Sequence, residues 1–90
     1  MYQKTVKVKN ENGLHARPSA TLVQEASKFQ SEIFIEKSGV TANAKSIMSI
    51  MVLAAEFGSD LILRAEGPDE KEAVDSLVML FDNKFNGASS

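Results

Sequence analysis

The sequence predicts an α+β domain in which an antiparallel sheet carries its helices on one face. Segments with a two-residue apolar period alternate with segments of helical period in the order strand, helix, strand, strand, helix, strand, helix (βαββαβα). The two strands that follow each other directly are separated only by Ser38-Gly39, a pair suited to a tight hairpin. A length of 90 residues makes one core, assigned to residues 1–86, with a short polar tail at 87–90.

The first strand is expected over Tyr2–Lys9, where Lys4, Val6 and Val8 alternate with Thr5, Lys7 and Lys9. Asn10-Glu11-Asn12-Gly13 is a turn cluster that delivers the chain to Leu14-His15. The first helix is placed from Ala16 to Phe29, because Pro18 is accepted only in a first turn, where its missing N–H goes unneeded. Ala20, Val23 and Ser27 form one row of that helix, and Leu22, Ala26 and Phe29 the next, together a stripe able to pack on a sheet. Ile33–Lys37 is β-branched and aromatic and reads as the second strand, paired across the Ser38-Gly39 turn with Val40–Asn43.

Ser46 opens a second helix that begins at Ile47 and is expected to stop near Phe57-Gly58. Leu61, Leu63 and Ala65 alternate with Ile62, Arg64 and Glu66 to give the fourth strand, Asp60–Glu66, closed by Gly67-Pro68. Asp69 with Glu72 three residues on has the arrangement of a capping box. The helix behind it carries Val74, Leu77, Val78, Phe81 and Phe85 at helical spacing.

Composition narrows the function classes. Hydrophobic residues are 43% and charged residues 24%, ordinary for a globular chain, and a net charge of -2 argues against a nucleic-acid binder. With no cysteine and a single histidine, neither a thiolate nor a histidine-rich metal centre is expected, and no cofactor is implied. The first residues lack the apolar core of a signal peptide, and no window reaches the roughly 18 apolar residues of a membrane span, so a cytoplasmic protein without membrane insertion is expected.

Chemistry concentrates in Gly13-Leu14-His15-Ala16-Arg17-Pro18-Ser19-Ala20. Pro18 fixes the helix start, so His15 falls at or just before the N-cap, beside unpaired N–H groups and a partial charge of about +0.5 that favours bound anions. A phosphoryl group on the His15 ring would meet those amides and the Arg17 guanidinium, a planar fork suited to phosphate oxygens. The plainer reading of the same residues is a histidine that caps a helix next to a solvated arginine, and spacing leaves both open. Ser46 is by default an N-cap. The helix it opens is apolar almost all round, so Ile47, Met48 and Met51 are either core or an exposed apolar patch.

The run Gly13–Ala20 resembles the active-site signature of HPr, the histidine-containing phosphocarrier family of the bacterial phosphoenolpyruvate:sugar phosphotransferase system. Asn43-Ala44-Lys45-Ser46-Ile47-Met48 is similar to that family's second signature. The resemblance spans about Met1 to Phe85 and implies an open-faced β-sandwich, a four-stranded antiparallel sheet in order 1-4-2-3 with three helices on one face. It implies that His15 accepts phosphate on Nδ1 with Arg17 stabilising it, as a carrier rather than a stand-alone enzyme. The implied partners are enzyme I, sugar-specific IIA proteins and, through phosphorylation of Ser46, an HPr kinase/phosphorylase. Ile47, Met48, Met51 and Ala20 match the family's docking surface, and the implied state is a monomer. This chain departs from the family in its first helix, where Gln24 and Ser27 stand in place of frequent basic residues and Lys28 is the nearest cation. A second reading is a regulatory HPr-like paralogue, of a nitrogen-related branch or acting through phospho-Ser46. A metabolite-binding or RNA-binding module finds no glycine-rich phosphate loop and no aromatic pair on a basic strand.

Overall fold

The apolar alternation of the strands settles which face of the sheet is covered. In the computed structural model, which describes residues 1–85, the strands are β1 (Tyr2–Lys7), β2 (Glu32–Lys37), β3 (Val40–Asn43) and β4 (Asp60–Glu66). They form one antiparallel sheet in the order β1-β4-β2-β3. Register sets Lys4 opposite Leu63, Leu63 opposite Ile35 and Ile35 opposite Ala42, so one row of side chains crosses the whole sheet. Val6, Leu61, Leu63, Ala65, Ile33, Ile35 and Ala42 are all buried on that face.

The helices α1 (Ala16–Ala26), α2 (Ile47–Leu53) and α3 (Glu70–Asp82) supply the other half of the core. Leu22 and Ala26 come from α1, Ile50 and Leu53 from α2, and Ala73, Val74, Leu77 and Phe81 from α3. Full burial of each large side chain is worth about 1.5–3 kcal/mol relative to exposure. The opposite sheet face carries Thr5, Phe34, Glu36, Ile62 and Arg64; Arg64 donates to Glu36 at 3.0 Å with its guanidinium 5.7 Å from the Phe34 ring. The α+β class and element order expected from the sequence, and the 1-4-2-3 topology implied by the family resemblance, are therefore present. The expected tail at 87–90, and residue 86, lie outside the described residues.

Several element ends differ from expectation, each for a local reason. Ladder pairing of β1 stops at Lys7, and Val8 instead exchanges backbone bonds of 2.9 Å with Gly58 and Ser59 while staying buried. The first helix ends at Ala26, because the amides of Lys28 and Phe29 bond three residues back, to Glu25 and Ala26, and so tighten the last turn. The second helix ends at Leu53 rather than near Phe57-Gly58. There Ala54 takes the left-handed conformation at φ 54, and the Lys37 ammonium covers its carbonyl at 3.1 Å.

At the far end of α3, Lys84 is left-handed at φ 55, its amide bonds Phe81, and the Phe85 amide bonds the Leu80 carbonyl. This pair of bonds is a Schellman closure with Lys84 at the position glycine usually fills. Phe85 therefore lies beyond the helix, yet it is buried with its ring 5.0 Å from that of Phe81.

The capping box expected from Asp69 and Glu72 does not form. Asp69 is the N-cap, but its side chain makes no cap bond and turns instead to the α1–β2 connection. Glu72 is exposed, and it is Glu70 that reaches back to the Gly67 amide at 3.1 Å.

Candidate functional site

Two anchors on either side of His15 fix where its ring can go. Upstream, Gly13 is at φ 69, and a Cβ there would lie 2.5 Å from the Ala55 carbonyl oxygen, so both conformation and space demand glycine. Leu14 is buried, and its amide donates to that same Ala55 carbonyl at 2.8 Å. Downstream, the fully buried Ser19 donates its hydroxyl to the Leu14 carbonyl at 3.3 Å. Between these anchors His15 is exposed.

His15 is the N-cap of α1, with extended backbone (φ -85, ψ -165), and its carbonyl accepts the Ser19 amide at 3.0 Å. Its side chain makes no capping bond. Of the two roles the sequence left open, the ring is not used as a cap, and its nitrogens stay available for chemistry. Ala16 and Arg17 occupy the first two helical positions, where a helix offers their N–H groups no carbonyl, and Pro18 follows without a donor. Two amides thus remain at the helix end for an anion.

A cleft of about 380 Å³ opens beside the ring. Pro18 and Phe85 form part of its wall, and its charged groups are Lys9, Glu11, Arg17 and Lys84 besides His15. Lys9 is paired with Asp82 at 3.3 Å, whereas Arg17 and Lys84 form no ion pair among the described residues. The described residues contain no group of three or more histidines or carboxylates that could hold a metal ion. Sequence reasoning placed His15 and Arg17 together and missed Lys9 and Lys84. Neither had a local signal, because they come from the ends of β1 and α3.

Ser46 caps α2 as expected, its hydroxyl oxygen accepting the Ser49 amide at 3.2 Å. The open choice for Ile47, Met48 and Met51 resolves as exposure, with Ile50 and Leu53 taking the core positions. Val52, missed in the sequence, is 76% exposed beside Met48 at 77%. Its signal was present, since Met48, Met51 and Val52 share one helical face at i, i+3 and i+4. Ala20, on α1, is half-buried. No helix among the described residues is long and apolar enough to cross a membrane.

A family model described as the PTS HPr component phosphorylation site matches residues 2–83, a span that contains both His15 and Ser46. The chain belongs to the HPr family of phosphocarrier proteins. It is 51% identical over 85 residues to the phosphocarrier protein HPr of Treponema pallidum, covering 94% of this chain and 97% of that one. It is equally 51% identical over 84 residues to the HPr-like protein Crh of Halalkalibacterium halodurans, covering 93% of this chain and 100% of that one. Among solved structures, HPr-C-His from Thermoanaerobacter tengcongensis superposes with a TM-score of 0.92 at 52% identity, covering 94% of this chain and 96% of that chain. The relatives of this chain thus include proteins named as phosphocarriers and proteins named as HPr-like Crh.

Proposed function

We propose that this chain accepts a phosphoryl group on Nδ1 of His15 from phospho-enzyme I, charged by phosphoenolpyruvate, and passes it in the cytoplasm to sugar-specific IIA components. The observation that carries the reading is the exposed, uncapped His15 ring at the start of α1, facing a cleft with the uncommitted Arg17 in its wall. The ring lone pair attacks phosphorus in line. As the new N–P bond forms, the donor's bond to phosphorus breaks and its electron pair returns to the donor atom. The phosphoryl oxygens meet the Ala16 and Arg17 amides and the Arg17 guanidinium, a charge arrangement already built before the group arrives. Onward transfer is the same displacement with roles reversed.

Ile47, Met48, Met51 and Ala20 belong to the surface on which enzyme I and IIA proteins dock. Val52 extends it, because its exposure continues the same face of α2. Ser46 is a regulatory site for an ATP-dependent HPr kinase/phosphorylase. A phosphate there would add about two negative charges at the mouth of the apolar patch and weaken docking of partners made for an apolar face. The regulatory reading, in which the chain signals without carrying phosphate, gains less support because the His15 ring and its cleft are intact.

The test is the intact mass of the protein after incubation with phosphoenolpyruvate and enzyme I. One phosphate that is gained and then lost in acid is expected, and absent in His15→Ala. Because His15 makes no cap bond, that variant should melt within about 0.5 kcal/mol of the parent. A parent that gains no phosphate from a competent enzyme I would refute the carrier role.

A further inference from the structure

Lys84 occupies a conformation that lysine does not favour. At φ 55 it stands just beyond the C-cap of α3, where a residue with a Cβ is strained relative to glycine. The two closing bonds, from the Lys84 amide to Phe81 at 3.1 Å and from the Phe85 amide to Leu80 at 2.9 Å, hold it there and turn Phe85 into the core. Glycine would make the same turn without strain, so the turn itself does not call for lysine. What the lysine adds is a cation in the wall of the cleft that His15 and Arg17 share. Of the other charged groups there, Lys9 is held by Asp82, and Glu11 is the only acid in the wall among the described residues.

We infer that Lys84 is a phosphate-binding residue, which together with Arg17 neutralises the phosphoryl group on His15 from the wall of the cleft they share. This rests on the reading of His15 as the acceptor. Arg17 approaches from the helix start, while Lys84 is brought in by the terminus of a different helix, so the phosphoryl oxygens are flanked from two elements. The walls hold three cations, Lys9, Arg17 and Lys84, against Glu11, which suits a group that carries close to two negative charges at neutral pH. The ammonium is a mobile point charge on a flexible stem, able to follow the oxygens as the phosphoryl group arrives and leaves.

The experiment phosphorylates the full chain with phosphoramidate, which needs no partner protein. The His15 nitrogen bonds to phosphorus as the phosphorus–nitrogen bond of the reagent breaks, and ammonia leaves with the electron pair. With one histidine in the chain there is one phosphohistidine signal to follow by phosphorus NMR against pH. A neighbouring cation favours the dianion, so Lys84→Gln should move the titration midpoint of the phosphoryl group up by about half a pH unit. Lys84→Arg should leave it near the parent value. Lys84→Gly should shift it as Lys84→Gln does, while melting at or above the parent temperature because the left-handed position is relieved. A midpoint unchanged in both Lys84→Gln and Lys84→Gly would overturn the inference, as would a Lys84→Gly variant that loses stability with its titration intact. Failure of the carrier reading is separable, because it shows as no phosphate from enzyme I in a chain that phosphoramidate still labels.

Discussion

Ser31 and Asp69, 38 residues apart, satisfy each other from both directions: the Ser31 hydroxyl donates to the Asp69 carboxylate, and the Asp69 amide donates to the same hydroxyl oxygen at 3.2 Å. The carboxylate also accepts the Gln30 and Ser31 amides, each at 2.9 Å. Gly67 packs so tightly on this knot that a Cβ would lie 2.6 Å from the Ser31 hydroxyl oxygen. The α1–β2 connection and the turn before α3 are thereby joined. Removing the buried hydroxyl in Ser31→Ala leaves the Asp69 amide and one carboxylate oxygen without that partner. The expected loss is about 1–2 kcal/mol, read as a lower denaturation midpoint.

Acid should loosen the same knot. The Asp69 carboxyl is held below its ordinary range first by the Ser31 hydroxyl and then by the Gln30 amide. Asp75 is lowered first by Lys71 and then by Lys4, and Glu70 first by the Gly67 amide. A folded-state value below the unfolded one means that these groups stabilise the fold above the ordinary carboxylate range near 4, and that their contribution is lost as pH falls through the lower folded values. Melting temperature is expected to hold between about pH 7 and 5 and to fall below about pH 4, with a shallower acid decline in Asp69→Asn. Lys4 and Lys71 are raised, chiefly by their bonds to Asp75, so their part is lost only as pH climbs above the ordinary lysine range through their raised values. A melt that fell steadily from pH 7 would contradict this assignment.

Gly13 tests how far the placement of His15 depends on a distant loop. Gly13→Ala meets a left-handed backbone and the Ala55 carbonyl together, so the loss should reach about 2 kcal/mol or more. Phosphate uptake from enzyme I should fall further than stability alone explains at a temperature where the variant is folded. Retention of full uptake would show that His15 does not need the Leu14–Ala55 anchor.

The exposed face of α2 should separate binding from stability. Met48→Asp and Val52→Asp alter side chains that already face water and should change unfolding free energy by less than about 0.5 kcal/mol. Each should raise KM for phospho-enzyme I with a smaller change in kcat, since uniform binding is lost and the His15 cleft is untouched. Equal KM values for parent and both variants would remove α2 from the docking surface.

The element order was legible in the chain because apolar spacing is a local property: Leu61, Leu63 and Ala65 point one way whatever lies across from them. The start of α1 was nearly as legible, since Pro18 must fall in a first turn and so sets His15 at or just before the N-cap, the position it takes. Element ends were less so. Ala54 and Lys84 turn left-handed without being glycine, held by the bonds that close each helix and by burial of the following Ala55 and Phe85.

By itself, then, the sequence determined the α+β class, the sheet-facing side chains, the His15–Arg17 pairing and the serine cap at Ser46, each encoded within a few consecutive residues. Only the tertiary structure decided that the Asp69 carboxylate leaves its own helix for Ser31, that Leu14, next to His15, is anchored to Ala55, and that Lys9 and Lys84 enter the His15 cleft. Those relationships join residues far apart in the chain, whose energies depend on distances that exist only once the sheet has closed under its three helices.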